Sequence, residues 1–341
     1  MRMPQASKIL VIQLRRIGDA LLASPAVKLL RAAYPQAELD FLVEPSAADV
    51  LRGNPDISEL LVYDKKRPLF WLFEIRRRRY DLVIDYMGNP RSGLLAFASG
   101  ARIKAGPGNV FCTCVYNSIM PLGVPPVYSS AEKMRMLAHI GIENPGISPL
   151  PVIFPGQEHK DWARETLANL GLAPEEKLAI AFAPASRKTA RAYPPRHYAA
   201  LAAMITSQLH RPVLLITGHG EEAVAGQILK DAGSNVFAVP PAQSLRHLAA
   251  LLARCALLVT NCNGPKHIAI AAGTPTLTIH GSSDPLAWTP SGFPEHQYIV
   301  NSAPDCIPCR RNDCPRGDLA CLENLDPALV YNRILEMPGI N

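Results

Sequence analysis

The stretch "KILVIQLRRIGDALLASPAVKLLRAAYP", residues 8–35, decides the fold class. It opens with the apolar run "KILVIQL", which suits a buried parallel strand, and its later leucines and valine recur at helical spacing. Gly18 and Asp19 fall between the two elements, at the carboxyl end of the strand, where open α/β sheets bind their ligands. Asp19 therefore has two interpretations, a residue that caps the helix or a functional carboxylate at a strand end.

Strands and helices alternate in two series along the chain. The first series contains the predicted strands "KILVIQL", "ELDFLVE", "ELLVYD" and "DLVIDYM". The second begins near residue 177 with "KLAIAFAPAS", "PVLLITGHG", "NVFAVP", "ALLVTN" and "TPTLTIHG", between helices such as "PRHYAALAAMITSQLH" and "SLRHLAALLARC". Apolar strands separated by helices predict parallel sheets that are covered on both faces.

Two Rossmann-like domains facing each other across a cleft follow from this pattern, and the cleft is the expected ligand site. We place the first domain at residues 1–160 and the second, with a cysteine-rich tail, at residues 170–325. A final helix at residues 326–341 is a candidate to pack back on the first domain.

Composition is that of a globular protein, with 341 residues of which 48% are hydrophobic and 19% charged. No apolar run approaches the ~18 residues that a transmembrane helix needs. The N-terminal "ILVIQL" is too short for a signal-peptide core and continues directly into Arg15 and Arg16. We therefore expect a cytoplasmic protein.

Positive charge is concentrated in residues 1–110, which contain 17 Lys and Arg against 11 Asp and Glu. Much of it lies in "KKRPLFWLFEIRRRRYDL", residues 65–82, where basic clusters flank aromatic and aliphatic side chains. Such a segment suits an anionic membrane surface or a phosphorylated lipid. It equally suits a solvated helix whose aromatic face packs on the sheet. No nucleic-acid-binding module is recognisable, so nucleic acid is not an expected partner.

A phosphate site is predicted in the second half of the chain, in "TNCNGPKHIAIAAGTP". Asn263 and Gly264 form a tight turn after a strand, and Pro265 suits the first helical position, so free amides and the positive helix end face the turn. Lys266 and His267 are candidates to add a charge or a proton there, although a histidine in a first turn is often a packed one.

Two further loops are predicted to converge on the same anion. "APASRKTARAYPP" follows a strand and carries Ser186, Arg187 and Arg191, which suit a diphosphate. In "TGHGEE", Glu221 or Glu222 is a candidate to accept a ribose hydroxyl, or else only stabilises a helix N-terminus. The dinucleotide fingerprint G-x-G-x-x-G is missing from the first turn, which disfavours an NAD-linked dehydrogenase.

At these residues the chain resembles glycosyltransferase family 9, the family of the ADP-heptose:lipopolysaccharide heptosyltransferases. The resemblance runs nearly end to end, through "RRIGDALLASPA", "NPDISELLVYD", "YDLVIDYMGNPRSG", "APASRKTARAYPPRHYAALA", "TNCNGPKHIAIAAGTPTLTIHGSSDPLAWTP" and "CIPCRRNDCPRGDLACLENLDPALV". It implies a GT-B fold, an N-terminal domain that binds the acceptor, a C-terminal domain that binds the nucleotide-sugar, and transfer with inversion.

The resemblance also implies roles for individual residues. Asp19 matches the aspartate that serves the family as general base. The acceptor contacts are assigned to Arg15, Arg16, Asn89 and Arg91. Two positions depart from the family pattern, because Arg191 replaces a usual lysine and Asn261-Cys262-Asn263 replaces a turn that usually carries an acid. These departures leave the identity of the donor sugar open, with heptose as the first choice.

No cofactor is expected for the transfer, since the sequence has no Asp-x-Asp pair to hold a donor through a metal. The chain has 8 cysteines, of which Cys112, Cys114, Cys255 and Cys262 are scattered. The other four form C-x2-C-x4-C-x6-C in the tail and are Cys306, Cys309, Cys314 and Cys321. They are candidates for a structural zinc, against the alternative of packed free thiols in a reducing compartment.

The sequence thus predicts an inverting glycosyltransferase that takes a nucleotide-sugar donor and a phosphorylated glycolipid acceptor at the inner face of the cytoplasmic membrane. Three alternatives stay open: a family member with another donor, an NAD-linked oxidoreductase, and a sugar-nucleotide-binding protein without turnover.

Overall fold

A computed structural model describes residues 3–108, 114–120 and 127–340 of the chain, so Cys112 lies outside the described residues. The chain divides into two compact units, Met1–Phe154 and Pro155–Asn341. Each unit contains one parallel six-stranded sheet, as the alternation of strands and helices predicts.

The first unit is built from six strands and six α-helices among its described residues. Its strands are β1 Lys8–Ile12, β2 Glu38–Val43, β3 Glu59–Val62, β4 Leu82–Asp85, β5 Ile103–Pro107 and β6 Ser118–Met120. Its helices are α1 Ile17–Leu21, α2 Ser24–Ala33, α3 Pro45–Ala48, α4 Pro68–Arg78, α5 Pro90–Ala98 and α6 Ser129–Leu137. The strands β5 and β6 carry little apolar alternation, and the sequence did not predict them.

The second unit repeats this plan. Its strands are β7 Ile180–Ala183, β8 Val213–Leu215, β9 Val236–Ala238, β10 Leu257–Asn261, β11 Thr276–His280 and β12 His296–Val300. Its helices are α7 Gln157–Asn169, α8 Pro195–Met204, α9 Glu222–Asp231, α10 Leu245–Leu252, α11 Gly264–Ala271, α12 Pro285–Trp288, α13 Ala320–Glu323 and α14 Pro327–Leu335. The edge strand β12 is the one that the sequence did not predict here.

Both sheets have the same strand order. The first runs β3-β2-β1-β4-β5-β6 and the second β12-β11-β10-β7-β8-β9, which is the Rossmann order 3-2-1-4-5-6 in each case. The order reverses between β1 and β4 in the first unit and between β7 and β10 in the second. Ligands of doubly wound sheets bind outside the strand ends at this point, so each unit offers one candidate site.

The helix predicted to follow Gly18 and Asp19 is broken into α1 and α2. Pro25 has no N–H to donate to the Leu21 carbonyl, and the Ser24 hydroxyl donates to that oxygen instead, at 2.7 Å. The break ends the first helix after one turn, so α1 is a short segment that presents Asp19 beside the end of β1.

Helix α4 contains the basic and aromatic segment. Trp71 and Ile75 are buried on the core of the first unit, while Leu69 and Phe73 are 68% and 76% exposed. One face of this helix therefore packs in the core, as the second interpretation predicts, and contact of its exposed apolar side chains with a membrane stays a prediction.

The final helix α14 belongs to the second unit. Its buried residues Val330, Tyr331 and Ile334 are part of the core that also contains Tyr198 and Leu201 of α8. The packing that the structure gives for this helix is therefore within the second unit. In the described ranges, no helix is both long and apolar enough to cross a bilayer.

Candidate functional site

Asp19 lies at the third position of α1, beside the end of β1. The N-cap of this helix is Arg16, whose backbone N–H donates to the Asp19 carboxylate at 3.3 Å. The cap interpretation is thus corrected in position, since Asp19 stabilises the helix from its first turn and is not itself the N-cap. The carboxylate is half-buried, and Arg15 and Arg16 beside it are exposed.

Lys133 of α6 interacts electrostatically with Asp19 in the folded unit. Burial lowers the pKa of Lys133, whereas the negative charges of Asp19 and Glu132 raise it. Its ammonium lies 5.4 Å from the ring centroid of Tyr86, which directly follows β4. The switch point of the first sheet therefore combines a carboxylate with a lysine that the sequence did not single out, because α6 carries no motif that points to it.

Two of the four residues predicted to contact the acceptor, Asn89 and Arg91, lie in the turn and helix that follow β4 and have partners within the protein. Asn89 is the N-cap of α5 and accepts the backbone N–H groups of Arg91 and Ser92, both at 3.0 Å. Arg91 forms an ion pair with Glu44 at 2.9 Å. Asn89 thus shapes the loop by capping, while the guanidinium of Arg91 stays 45% exposed.

A pocket of about 230 Å³ lies beside Arg91 in the first unit. Lys65 and Arg91 supply its positive charge, and Tyr63 supplies an aromatic wall. Its remaining lining residues are Pro68, Leu72, Leu94 and Leu95. The combination of two cations with an apolar wall suits an anionic amphiphile.

In the second unit, two asparagines join the ends of the central strands. The Asn261 amide donates to the Pro184 carbonyl at 2.6 Å and its oxygen accepts the Tyr193 N–H at 3.1 Å. Asn263, the N-cap of α11, donates to the carbonyls of Ala183 and Ala185 at 3.2 and 3.0 Å. The turn that departs from the family pattern therefore holds the β7 and β10 loops together.

The turn at the start of α11 is open at its glycine. A Cβ on Gly264 would meet nothing within 4 Å in the described part of the chain, so a ligand can approach this backbone. Pro265 occupies the first turn of α11, where its missing N–H costs no hydrogen bond. Both observations agree with the predicted anion site.

The two candidate side chains of this helix are buried. Lys266 is fully buried, and its ammonium donates to the Trp288 carbonyl at 2.7 Å and to the Cys262 sulfur at 3.7 Å, so its contact with phosphate stays a prediction. His267 is buried too, and burial together with nearby Lys266 and His280 holds its pKa well below the usual 6.5. It is neutral at pH 7 and cannot supply the predicted charge. Both side chains help to fill the core beneath α11.

Arg191 is the cation that the structure places best for an anionic ligand. Burial lowers the pKa values of Lys266, in the first turn of α11, and of His280, at the end of β11, and the charge of Arg191 lowers both further. Its Nε is buried and has no hydrogen-bond partner among the described residues. A buried guanidinium N–H that is left unpaired favours a bound anion.

The other two residues of this loop differ in their surroundings. Ser186 is half-buried, accepting the Lys188 N–H at 3.2 Å and donating to the Lys188 carbonyl at 3.0 Å. Its hydroxyl thus forms a tight turn at the end of β7. Arg187 is exposed.

Glu221 and Glu222 each accept a backbone N–H of their own turn. Glu221 accepts the N–H of Gly218 at 2.8 Å, and Glu222 accepts that of Gly220 at 3.1 Å. These contacts stabilise the start of α9, and the pKa of Glu222 is lowered by its backbone hydrogen bonds. Contact with a ribose stays a prediction for both residues.

One cluster of three carboxylates is close enough to hold a metal ion but is already paired with an arginine. In the described ranges, Glu38, Asp40 and Glu59 form the only group of three or more possible ligand atoms within 4.8 Å of one another. Arg78 binds Asp40 at 3.0 Å and Glu59 at 2.7 Å. The guanidinium already neutralises this cluster, so it is an ion-pair network.

Known proteins resemble this chain over most of its length. The profile of glycosyltransferase family 9 (heptosyltransferase) matches residues 72–320. Lipopolysaccharide heptosyltransferase 2 of Escherichia coli K12 is 24% identical over 341 residues, covering 96% of this chain and 97% of the relative.

Two solved structures show the same fold. The glycosyl transferase family 9 structure from Veillonella parvula has a TM-score of 0.85 at 22% identity and covers 97% of both chains. The E. coli heptosyltransferase WaaC with ADP-2-deoxy-2-fluoro heptose has a TM-score of 0.69 at 20% identity, covering 96% of this chain and 99% of that one. The predicted GT-B fold of two Rossmann-like units is thereby confirmed.

Proposed function

This chain belongs to glycosyltransferase family 9 (heptosyltransferase), and we propose that it transfers heptose from ADP-heptose to the inner core of a lipopolysaccharide. That it is a glycosyltransferase follows from the family. The observation that carries the choice of heptose is the family match over residues 72–320, which includes the whole donor-side switch point. The names of a relative and of a solved complex, one a lipopolysaccharide heptosyltransferase and the other containing an ADP-heptose analogue, support it.

We propose that the second unit binds the donor. We place its diphosphate at the open turn of Gly264, with Arg191 as the principal charged contact. The positive end of α11 and the unpaired Nε–H of Arg191 suit a phosphate oxygen. As the bond to the sugar breaks, negative charge grows on the leaving diphosphate, and fixed cations and amides stabilise it most at that moment. We propose that no metal is required for this step.

The base is assigned to Asp19. An acceptor hydroxyl oxygen forms a bond to the anomeric carbon from the face opposite ADP, while the bond from that carbon to the diphosphate oxygen breaks. The hydroxyl proton passes to the Asp19 carboxylate, and ADP leaves with the electron pair of the broken bond. This single displacement inverts the anomeric centre. Lys133, whose charge Asp19 stabilises, is proposed to orient the carboxylate.

We propose that the first unit binds the acceptor. Its phosphate or carboxylate groups are proposed to bind Lys65 and Arg91 in the pocket beside α4 and α5, with Arg15 and Arg16 near the reacting hydroxyl. Exposed apolar side chains lie on the same two helices and are Leu69, Phe70, Phe73, Leu94 and Phe97. Basic residues beside such a surface suit an anionic bilayer. We therefore propose that the enzyme works in the cytoplasm, peripherally bound to the inner face of the membrane.

The donor is tested by calorimetry with ADP, UDP, GDP and CMP. ADP should bind most tightly, and a tighter complex with another nucleotide would indicate a family member with a different donor.

Turnover is tested by incubating the enzyme with ADP-heptose and heptose-deficient lipopolysaccharide. Release of ADP together with a mass increase of one heptose on the lipid is expected. Binding without release would identify a nucleotide-sugar-binding protein.

A further inference from the structure

Asp85 is the last residue of β4, at the switch point of the first sheet, and its side chain is fully buried. One carboxylate oxygen accepts the Tyr116 hydroxyl at 2.6 Å, and the other accepts the backbone N–H groups of Met87 at 2.8 Å and Gly88 at 3.3 Å. Burial raises the pKa of this carboxyl, and the hydrogen bonds oppose that rise. A buried carboxylate adds little stability, because its desolvation offsets its hydrogen bonds, so Asp85 calls for another role.

Tyr116, the partner of Asp85, is itself held in place by the fold. A Cβ on Gly106 of β5 would lie between 2.4 and 2.6 Å from three of its ring atoms, so the ring occupies the space that a side chain there would need. Tyr116 is 5% exposed and belongs to the same core as Leu14. The hydroxyl is therefore fixed toward Asp85 by a ring that is packed on all sides.

Met87 connects Asp85 to the loop of Asp19. Its backbone N–H binds the Asp85 carboxylate, and its sulfur accepts the backbone N–H of the buried Leu14 at 3.1 Å. The next turn of that loop is held by the Gln13 side chain, whose amide donates to the Arg15 carbonyl at 2.6 Å. The course of the chain from β1 to Asp19 is thus set in part by a residue that Asp85 holds.

Gly88 connects Asp85 to the loop of Arg91. Its N–H binds the Asp85 carboxylate, and its φ of +58° turns the chain toward Asn89. Asn89 then caps α5, and its own N–H donates to the Ser92 hydroxyl at 3.2 Å. One buried carboxylate is therefore bonded to the turns that lead to both Asp19 and Arg91.

We propose that Asp85, held by Tyr116, is a positioning residue that fixes the loop of Asp19 relative to the loop of Arg91. Its importance for transfer rests on the proposed function, in which Asp19 takes the proton and Arg91 binds the acceptor. A misplacement of ~1 Å at a reacting group lowers a rate by roughly 100-fold. Asp85 therefore affects the rate through the two loops, without touching the substrate.

The variant Y116F tests the role of Asp85 in transfer, and Y80F is its matched control. Tyr80 is 3% exposed in the same core, and its hydroxyl donates at 2.5 Å to another buried carboxylate, that of Asp40 in β2. Each variant loses one buried hydrogen bond to a carboxylate, so both should melt a few degrees below wild type.

The two variants should differ in turnover. With ADP-heptose and heptose-deficient lipopolysaccharide, Y116F should lower kcat by ~10-fold to 100-fold and leave the KM for ADP-heptose unchanged. Y80F should keep the kcat of wild type, because Tyr80 precedes β4 and lies away from the carboxyl ends of the strands. A wild-type kcat in Y116F, or an equal loss in the two variants, would overturn the proposal.

Hydrogen exchange measured by mass spectrometry tests the positioning without turnover. The backbone amides of residues 13–19 and 86–92 should exchange ~10-fold faster in Y116F than in wild type, and Y80F should leave both segments unchanged. Unchanged exchange in Y116F contradicts the positioning role. If wild type itself releases no ADP in the transfer assay, the proposed function is wrong, whereas the exchange result still decides whether Asp85 holds the two loops.

The variant M87L covers the case in which Y116F does not fold. Leucine has nearly the volume of methionine and lacks the sulfur that accepts the Leu14 N–H. M87L should accelerate exchange in residues 13–19 and lower kcat by ~10-fold, while M120L, which changes a buried methionine of β6, should do neither. Exchange and kcat at wild-type values in M87L would overturn the proposal.

Discussion

Asp19 illustrates how one carboxylate can serve both a helix and a reaction. Its contact with the Arg16 N–H uses one oxygen at 3.3 Å, a long hydrogen bond that an amide oxygen can also accept. The structural role is therefore replaceable by asparagine, whereas proton acceptance is not. This difference allows a single substitution to separate the two roles.

We predict that D19N keeps its fold and loses turnover. The melting temperature should stay within a few degrees of wild type, because the amide oxygen replaces the capping contact. The transfer rate should fall by ~100-fold or more, the scale for loss of a positioned general base. ADP affinity, measured by calorimetry, should not change. Normal turnover in D19N would reduce Asp19 to a helix-stabilising residue, and if D19N unfolds, D19S provides the same test.

Arg191 is predicted to dominate the binding of ADP. R191A should weaken the complex by about 1.5–3 kcal/mol, since a charge-assisted contact to phosphate is lost. By calorimetry this is a loss of ~10-fold to over 100-fold in affinity. R187A is the matched control from the same loop, and its exposed side chain should contribute only a few tenths of this energy. Equal losses in the two variants would mean that general positive charge, and no specific contact, holds the nucleotide.

At the scale of elements, the helix α4 has a buried face and an exposed face, and the residues of the two faces alternate along its sequence. Its C-terminal arginines differ in their surroundings. Arg78 binds Asp40, Glu59 and Glu74 inside the unit, whereas Arg77 is 76% exposed. The run of four arginines is therefore not a uniform membrane-facing cluster, and Arg78 must be left in place when the membrane contact is tested.

We predict that changing Arg76, Arg77 and Arg79 to glutamine weakens association with vesicles that contain phosphatidylglycerol. Each basic residue near such a surface contributes ~1 kcal/mol, so the partition coefficient should drop by roughly 100-fold at low salt and become less sensitive to added salt. Cosedimentation measures this. The control with the same loss of charge changes Lys160, Arg164 and Arg333 of the second unit. An equal drop in the control would show that net charge alone is responsible.

The elements with strong periodicity could be predicted from the sequence, and the weak ones could not. The five strands β1, β2, β4, β7 and β10 consist mostly of apolar residues, because both faces of a parallel sheet are covered. In contrast, β5 with the sequence "IKAGP" is stabilised by its neighbours in the sheet and carries no pattern of its own. The break between α1 and α2 was visible as Pro25, but the Ser24 hydroxyl that satisfies Leu21 appears only in three dimensions.

For the candidate site, too, one part could be predicted from the sequence and another could not. Arg191 and Gly264 lie in loops that follow predicted strands, so their position could be derived from the sequence. The direction of a side chain could not, and Lys266 shows why. At one turn into a helix, a lysine points to solvent, to ligand or to the core, depending on what packs there, and here the Trp288 carbonyl receives it. The electrostatic interaction of Lys133 with Asp19 arises only through folding, because more than a hundred residues of chain separate them.

For the whole molecule, the buried histidines make the second unit sensitive to acid. Burial lowers the pKa of His296 to about 4, and it holds the pKa values of His267 and His280 well below 6.5. All three are neutral in the folded unit at pH 7, while an unfolded chain protonates them near pH 6.5. Between pH 6.5 and about 4 the unfolded state therefore binds more protons, so the free energy of unfolding decreases as the pH falls through this window.

We predict that H296Q removes part of this acid sensitivity. At pH 5 the wild-type histidine costs about 2 kcal/mol, because the pH lies roughly 1.5 units below its ordinary pKa and each unit is worth 1.36 kcal/mol. Glutamine can keep the contact that His296 makes with the Thr276 hydroxyl at 3.1 Å, and it does not titrate. Urea unfolding measures the free energy of unfolding at pH 7.5 and at pH 5.0. Between these two pH values, H296Q should lose about 2 kcal/mol less of it than wild type does. The control H219Q, which changes an exposed histidine of the same unit, should behave as wild type does. If H296Q loses as much stability as wild type between the two pH values, His296 is protonated in the folded unit, and the acid sensitivity has another source.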